Sequence, residues 1–238
     1  MEAHLRKLRM RDSVSAAEED AIRELVSEVR TFSAHKTVIH EGVELNVSLL
    51  LLDGWLARAK DVKRGNRQIL ELHVPGDFAD LHSFTLKALD HDVIALTPVR
   101  LGVVPHDRLT RLTERFPRLT RLYWLMTNVD ASIQRELTLS LGSRSAMSRA
   151  AHLFCELFER LRVGGLADDD GYALPLTQAQ LSECLGITPV HVNRTLQALR
   201  ADGLITLEQR YLTIHDHARL REIGEFDPRY LYLRQKPS

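Results

Sequence analysis

The sequence predicts an α+β chain in three parts: an N-terminal antiparallel β-roll or jelly-roll barrel, a long dimerisation helix, and a C-terminal winged helix-turn-helix. Three observations predict it. Between residues 30 and 104, short apolar runs are punctuated by Gly42, Asp53-Gly54, Gly65-Asn66 and Gly76-Asp77, so a glycine recurs every 11 or 12 residues. Turn signals at that regular spacing belong to antiparallel strands folded on one another rather than to a parallel sheet. After Pro117, the apolar residues Leu119, Leu122, Met126, Val129 and Ile133 are spaced three, four, three and four, which is a heptad seam on one long helix. Residues 177–214 then read as two short capped helices, a tight turn between them, and a hairpin.

In chain order, residues 1–13 are polar and basic with little periodicity, and the first few are expected to be loose. A helix is predicted over residues 15–29, with Ala21, Ile22, Leu25 and Val29 as its apolar stripe. Among the barrel turns, Arg64-Gly65-Asn66 is the clearest hairpin signal. Residues 82–92 interrupt the strands, and residues 96–104 resume them up to Pro105. A short helix over 106–115 turns Leu109 and Leu112 inward, and the long helix runs from Pro117 to about Leu141. Gly142-Ser143 is the natural hinge before a helix over 144–161 and an extended piece at 173–176. The resulting domains are 1–116, 117–141 and 142–238. Past the hairpin, residues 218–223 form a helical turn, and the tail beyond is polar with no readable role.

Composition bounds the partners. With 44% apolar residues in 238, the chain can bury a sizeable core, and its 32 basic residues equal its 32 acidic ones. Residues 143–238 alone carry 12 of each, so attraction to nucleic acid has to come from local arrangement rather than from net charge. Cys155 and Cys184 both fall at apolar helix positions, where burial in a reducing cytoplasm is expected. The most apolar run, residues 47–52, is too short to cross a bilayer, so a soluble cytoplasmic protein is expected. An enzyme built on such a barrel would want clustered His and Glu ligands. Here His35, His40 and His73 are scattered, Asp90-His91-Asp92 sits in a loop, and His215-Asp216-His217 lies past the hairpin. The chain is therefore read as a non-enzyme.

The C-terminal motif carries the chemistry. Thr177 with Gln180 three residues on is a capping box, Gly186 closes the first helix, and Ile187 plugs the turn. Thr188 caps the second helix with Pro189 at its first position. Val192, Leu196 and Leu199 recur at four and three and face inward, which leaves Val190, Asn193, Arg194 and Gln197 on the outer face. Arg donates two bonds to guanine, Asn pairs bidentately with adenine, and Val touches a thymine methyl, so this face suits base reading. Thr177, Gln178 and Thr188 stand at helix starts and suit phosphate contacts; His191 could serve either purpose. An ordinary helical hairpin with a polar outer face is the simpler alternative, and the caps, close spacing and wing together argue against it.

In this order of parts the chain resembles the CRP/FNR superfamily of bacterial transcription regulators, best at residues 74–78 (Val-Pro-Gly-Asp-Phe) and 181–205. The resemblance implies a homodimer on double-stranded DNA, a barrel that senses a signal through its Gly76-Asp77 loop with Asp80 and His82, and RNA polymerase as a partner. The heptad residues Leu119, Leu122, Met126, Val129 and Ile133 would then be the dimer seam; the alternative is that the seam packs on its own barrel. Departures from the family pattern narrow the cofactor. Cyclic-nucleotide-binding members carry a Gly-Glu pair and then an Arg-Ser or Arg-Thr pair, where this chain has residues 79–83 (Ala-Asp-Leu-His-Ser) and Asp90-His91-Asp92. Carboxylates stand where a phosphate needs a cation, so cyclic AMP is not expected. Oxygen-sensing members have an N-terminal cysteine cluster that is absent here. His82 lies where haem-containing gas sensors place an iron ligand, which keeps a haem-binding sensor as one alternative; a sensor barrel whose head docks on protein is another. The reading helix of many members presents a glutamate one turn before its arginine; here Val190 replaces it and Arg194 remains. Glutamate accepts from cytosine N4 and valine does not, so the operator is expected to lack a C·G requirement at that step.

Overall fold

The strands between residues 28 and 105 form two antiparallel sheets that face one another, as the turn spacing predicts. In the computed structural model, which describes residues 1–61 and 67–233, the first sheet has the order β1-β7-β3 (Glu28–Phe32, Val99–Pro105, Val47–Asp53). The second has the order β2-β6-β4-β5 (Thr37–Ile39, Asp92–Ala95, Leu56–Asp61, Arg67–His73). The predicted Arg64-Gly65-Asn66 hairpin turn lies outside the described residues. Gly54 closes the β3–β4 turn at a φ of +85°, and a Cβ there would sit 2.3 Å from the Pro98 carbonyl oxygen, so only glycine fits. The inner faces, with Leu49, Leu51, Leu56, Val93 and Leu101, form the apolar filling of the roll.

The helices before and after the roll differ from the prediction in instructive ways. Residues 2–9 are not loose: they form α1 (Glu2–Arg9), whose His4, Leu5, Lys7 and Leu8 are all buried. The stripe is short and mixes two polar residues with two leucines, so periodicity does not reveal it. The next helix, α2 (Ala16–Glu24), opens on a Ser15–Glu18 capping box and stops before Leu25. Val29 belongs to β1 and is exposed, because the chain must extend to pair with β7. The short α3 (Ser83–Leu86) interrupts the strands, and α4 (His106–Arg115) buries Leu109 and Leu112 as expected.

Helix α5 runs Pro117–Ser143, so the break lies at Arg144-Ser145 rather than at Gly142-Ser143. Ser145 caps α6 (Ala146–Gly164) by accepting from the Ser148 N–H, and this cap sets the break. The heptad seam requires a larger correction. Leu119, Leu122 and Met126 pack with Leu5, Leu8 and Ile22, while Val129 and Ile133 pack with β5 and α6. All five are buried by their own chain, at 8% exposure or less, so they are not a surface offered to a second copy. A narrow apolar stripe marks what a helix packs on without saying whose surface that is.

The C-terminal part is built on α6. A three-stranded sheet β8-β10-β9 (Gly171–Ala173, Tyr211–Ile214, Ile205–Glu208) and the helices α7 (Gln178–Leu185) and α8 (Pro189–Ala201) surround it. Strand β8 replaces the predicted extended piece at 173–176. The tail is not free: past α9 (His217–Ile223), Phe226 and the last residue of a 3-10 turn (Pro228–Leu231), Leu231, are buried. The Tyr230 hydroxyl donates to Glu156 at 2.7 Å. The head rests on the roll, where the Gln68 amide donates to the Glu183 carbonyl at 2.6 Å, and within the head the Arg149 guanidinium of α6 donates to the Leu185 carbonyl of α7 at 2.9 Å. Among the described residues, no helix is long and apolar enough to cross a membrane.

Candidate nucleic-acid interface

The geometry of the two helices follows from their caps. Thr177 Oγ1 accepts from the Gln180 N–H at 3.2 Å while Gln180 Oε1 accepts from the Thr177 N–H at 2.8 Å, so the capping box is complete. Gly186, at a φ of +62°, ends α7 in the left-handed conformation, and Ile187 packs into the core below. Thr188 Oγ1 accepts from the His191 N–H at 3.3 Å, and Pro189 opens α8. Val192, Leu196 and Leu199 are buried at 2% exposure or less, so the opposite face is fixed in direction.

That face holds most of the expected readers. Pro189, Val190, His191, Arg194 and Gln197 are exposed, with Val190 at 65%; Asn193 is half-buried at the edge. Thr188, Val190, His191 and Arg194 line one open groove whose other wall is the start of α6, at Ser145, Ala146 and Met147. Thr177 and Gln178 are exposed on the neighbouring helix start. The Thr177 hydroxyl is already engaged with both polar ends of Gln180, however, so its role is mainly to cap. Pairing of Tyr211 with Glu208 leaves Gln209 and Arg210 as the hairpin turn, both with positive φ. Arg210 is exposed at this wing tip, where a cation suits a phosphate, and sequence reasoning missed it. The two-residue gap between the strands was the signal that could have found it.

The barrel turn is occupied by the protein itself. Gly76, at a φ of +93°, lies so close to α1 that a Cβ would meet the His4 backbone nitrogen at 2.8 Å. His4 Nδ1 is 2.9 Å from the Gly76 carbonyl. Asp77 accepts from Lys7 Nζ at 2.6 Å and from Arg160 at 3.1 Å. Burial opposes its ionisation, but these two cations outweigh burial and hold the carboxyl well below the usual range. Asp80, expected at the effector loop, is fully buried and ties the turn to β3 by accepting from the Leu49 N–H at 2.6 Å and the Ser83 hydroxyl at 3.2 Å. Burial pushes its pKa up to about 7.

Two further findings bear on cofactors. Buried Arg58 donates to Glu71 at 2.7 Å, Asp130 at 3.0 Å and the Ala79 carbonyl at 2.9 Å, so the cation nearest the roll interior is already satisfied. A cyclic phosphate would find no free guanidinium there. His82 is half-buried, its ring centroid is 5.5 Å from that of His91, and burial together with Arg58 lowers its pKa to about 3. A neutral ring is suited to ligation, but one packed on a second histidine beside a buried arginine does not fit a porphyrin face. Cys155 and Cys184 are buried free thiols, as their positions predict.

Comparison with known proteins agrees with this arrangement. Residues 29–116 match the cyclic nucleotide-binding domain family, and residues 148–223 match the Crp-like helix-turn-helix domain family. The chain is 28% identical over 210 residues to the transcriptional activator protein FnrL of Cereibacter sphaeroides, covering 87% of this chain and 84% of that one. It is 22% identical over 208 residues to the transcriptional activator protein anr of Pseudomonas aeruginosa, covering 87% and 85%. Its fold is similar to that of FixK2 from Bradyrhizobium japonicum, with a TM-score of 0.75 at 24% identity over 84% of this chain and 98% of that one. With its roll, long helix and winged head in this order and both domain families matched, the chain belongs to the CRP/FNR superfamily of transcription regulators.

Proposed function

We propose that the protein regulates transcription as a homodimer that reads a palindromic operator in double-stranded DNA through α8, with RNA polymerase as its partner in the cytoplasm. The observation that supports this best is the exposed face of α8. Its base-reading side chains stand clear of the core, and both helix starts are capped. Arg194 is the dependable reader, suited to guanine; Val190 and Asn193 favour A·T pairs. Thr188, Gln178 and Arg210 set register on phosphates.

The dimer is proposed through the outer face of α5 rather than its apolar seam. Trp124, Asn128, Ala131, Arg135 and Thr138 are exposed at spacings of four, three, four and three, and Trp124 is 68% exposed. Two copies joined there would present paired heads to paired half-sites. Selection from a random duplex pool tests both halves of the proposal. The expected product is a two-fold symmetric consensus with half-sites about 10 bp apart. Its affinity should fall steeply with salt as counterions are released. Failure to retain duplex DNA at low salt would overturn it. The signal is assigned to the roll and to the region around the Gly76-Asp77 turn, which joins α1, α5 and α6.

A further inference from the structure

Where α1, the barrel turn, α5, α6 and the C-terminal segment meet, the chain encloses a cavity of about 40 Å³ lined by Lys7, Arg11, Asp77, Asp130 and Arg160, with Leu231 at its edge. The charges around it can be paired one by one. Lys7 and Arg160 both bond Asp77, Arg160 also bonds Glu156 at 3.0 Å, and Asp130 bonds Arg58. Arg11 is left over. Among the described residues no carboxylate lies within salt-bridge reach of it, and its two Nη atoms make only long bonds, to the Lys7 carbonyl at 3.3 Å and the Leu231 carbonyl at 3.5 Å. Its Nε is buried with no partner at all.

A half-buried guanidinium with no directly bonded carboxylate is poorly satisfied, and its buried N–H without an acceptor adds to that cost. The guanidinium fork is shaped for two parallel bonds to an oxyanion. We propose that this cavity is a binding site for a small oxyanion, a carboxylate or a phosphate group, held by the Arg11 fork with Lys7 and Arg160 beside it. Of the two carboxylates in the wall, Asp77 is bonded by two cations, and Asp130 shares Arg58 with Glu71 while burial pushes its pKa upward, which favours its neutral form. At about 10–15 Å³ per water, the space holds roughly three waters or a ligand group of a few heavy atoms, and not a nucleotide. Such a ligand would touch the N-terminal segment and the C-terminal segment at once, closing them over α5 and α6.

The test uses the full chain in sodium phosphate, sodium acetate and sodium chloride at pH 7 and matched ionic strength. A saturable rise in melting temperature, on the order of 5 °C at high occupancy, is expected in phosphate or acetate beyond that in chloride. A rise in phosphate alone assigns a tetrahedral group, and one in acetate alone a planar carboxylate. The rise should be lost in Arg11→Gln and weakened in Arg11→Lys, which keeps the charge without the fork. Equal behaviour in all three salts overturns the proposal on the wild type alone, whatever the variants do. A rise that survives Arg11→Gln but disappears in Arg194→Ala places the anion on the head and overturns it as well. DNA retention plays no part in this measurement, so its outcome is separate from that of the operator selection.

Discussion

On α8, Val190, His191, Arg194 and Gln197 stand in solvent and none of them holds the fold together. At the barrel turn the polar residues are buried and bonded across the chain: Arg58 to Glu71 and Asp130, 13 and 72 positions away, and Asp77 to Lys7 and Arg160, 70 and 83 positions away. The first region can change its side chains and keep its shape, so it is free to be tuned to an operator. The second is committed: these four partners of Arg58 and Asp77 are bonded across the chain, and α1, α5 and α6 depend on those bonds. Substitutions should therefore separate cleanly, with stability lost at the turn and DNA affinity lost on the head.

The largest effect expected is that of Arg58→Ala. It abandons buried Glu71 and half-buried Asp130, and breaking a buried pair from one side costs about 3–5 kcal/mol. Denaturant unfolding at pH 7 should show that loss, and the loss should shrink at pH 5. Burial already pushes Glu71 and Asp130 upward against the pull of Arg58, so both can escape by taking up protons. A loss below about 1 kcal/mol at pH 7 would show that the turn is not committed, and the comparison would fail.

Arg194→Ala is the matching change on the head. It should weaken operator binding by about 1–3 kcal/mol and relax specificity at one base pair. Unfolding should move by no more than about 0.5 kcal/mol, as for other exposed sites. A variant that unfolds early but binds normally would reverse the roles assigned to the two regions.

The pH dependence of stability sharpens the contrast further, because the carboxylates at the turn are strongly shifted. Glu71 and Asp130 have raised folded pKa values, so their contribution is fully present below the unfolded values of 4.5 and 3.8 and is lost as pH rises through the raised ones. Asp77 is depressed, so its contribution is present above 3.8 and lost as pH falls through its lowered value. The share of stability carried by Glu71 and Asp130 should therefore decline toward neutrality, by at most about 1.4 kcal/mol per pH unit for each proton released, while buried His4, His73 and His82, held neutral in the fold, oppose that trend below 6.5. Glu71→Gln should flatten that decline, measured as unfolding free energy between pH 5 and pH 8.

The same contrast explains which parts were legible in the sequence. Caps, a helix-ending glycine and a three-four apolar stripe are local, and they placed α7, α8 and the hairpin to within a residue or two; Thr177, Gly186 and Thr188 act as read. The spacing of turn glycines placed the roll for the same reason. By contrast, Lys7 and Asp77, or Arg160 and Asp77, lie too far apart for any pattern to join them. Without those contacts α1 reads as a loose basic start and the tail as polar excess. The seam from Leu119 to Ile133 was legible as a stripe, yet its partner is the chain's own N-terminal helix and roll, a fact that only the packing supplies.

The smallest effects are at the two threonine caps, and they divide structure from contact within the head itself. Each alanine substitution should cost about 1 kcal/mol of stability by freeing a helix-start N–H. At Thr177 the loss should end there, because its hydroxyl both accepts from the Gln180 N–H and points to Gln180 Oε1. The Thr188 hydroxyl accepts from the His191 N–H and keeps its own O–H for a phosphate. Thr188→Ala should therefore also weaken binding by roughly 0.5–1.5 kcal/mol on every sequence alike, the worth of one hydrogen bond. The slope of affinity against salt should stay unchanged, since no charge is removed. Equal losses of DNA affinity at the two sites would show that Thr177 reaches the backbone despite its cap, and that α7 sits closer to the duplex than its hydrogen bonds suggest.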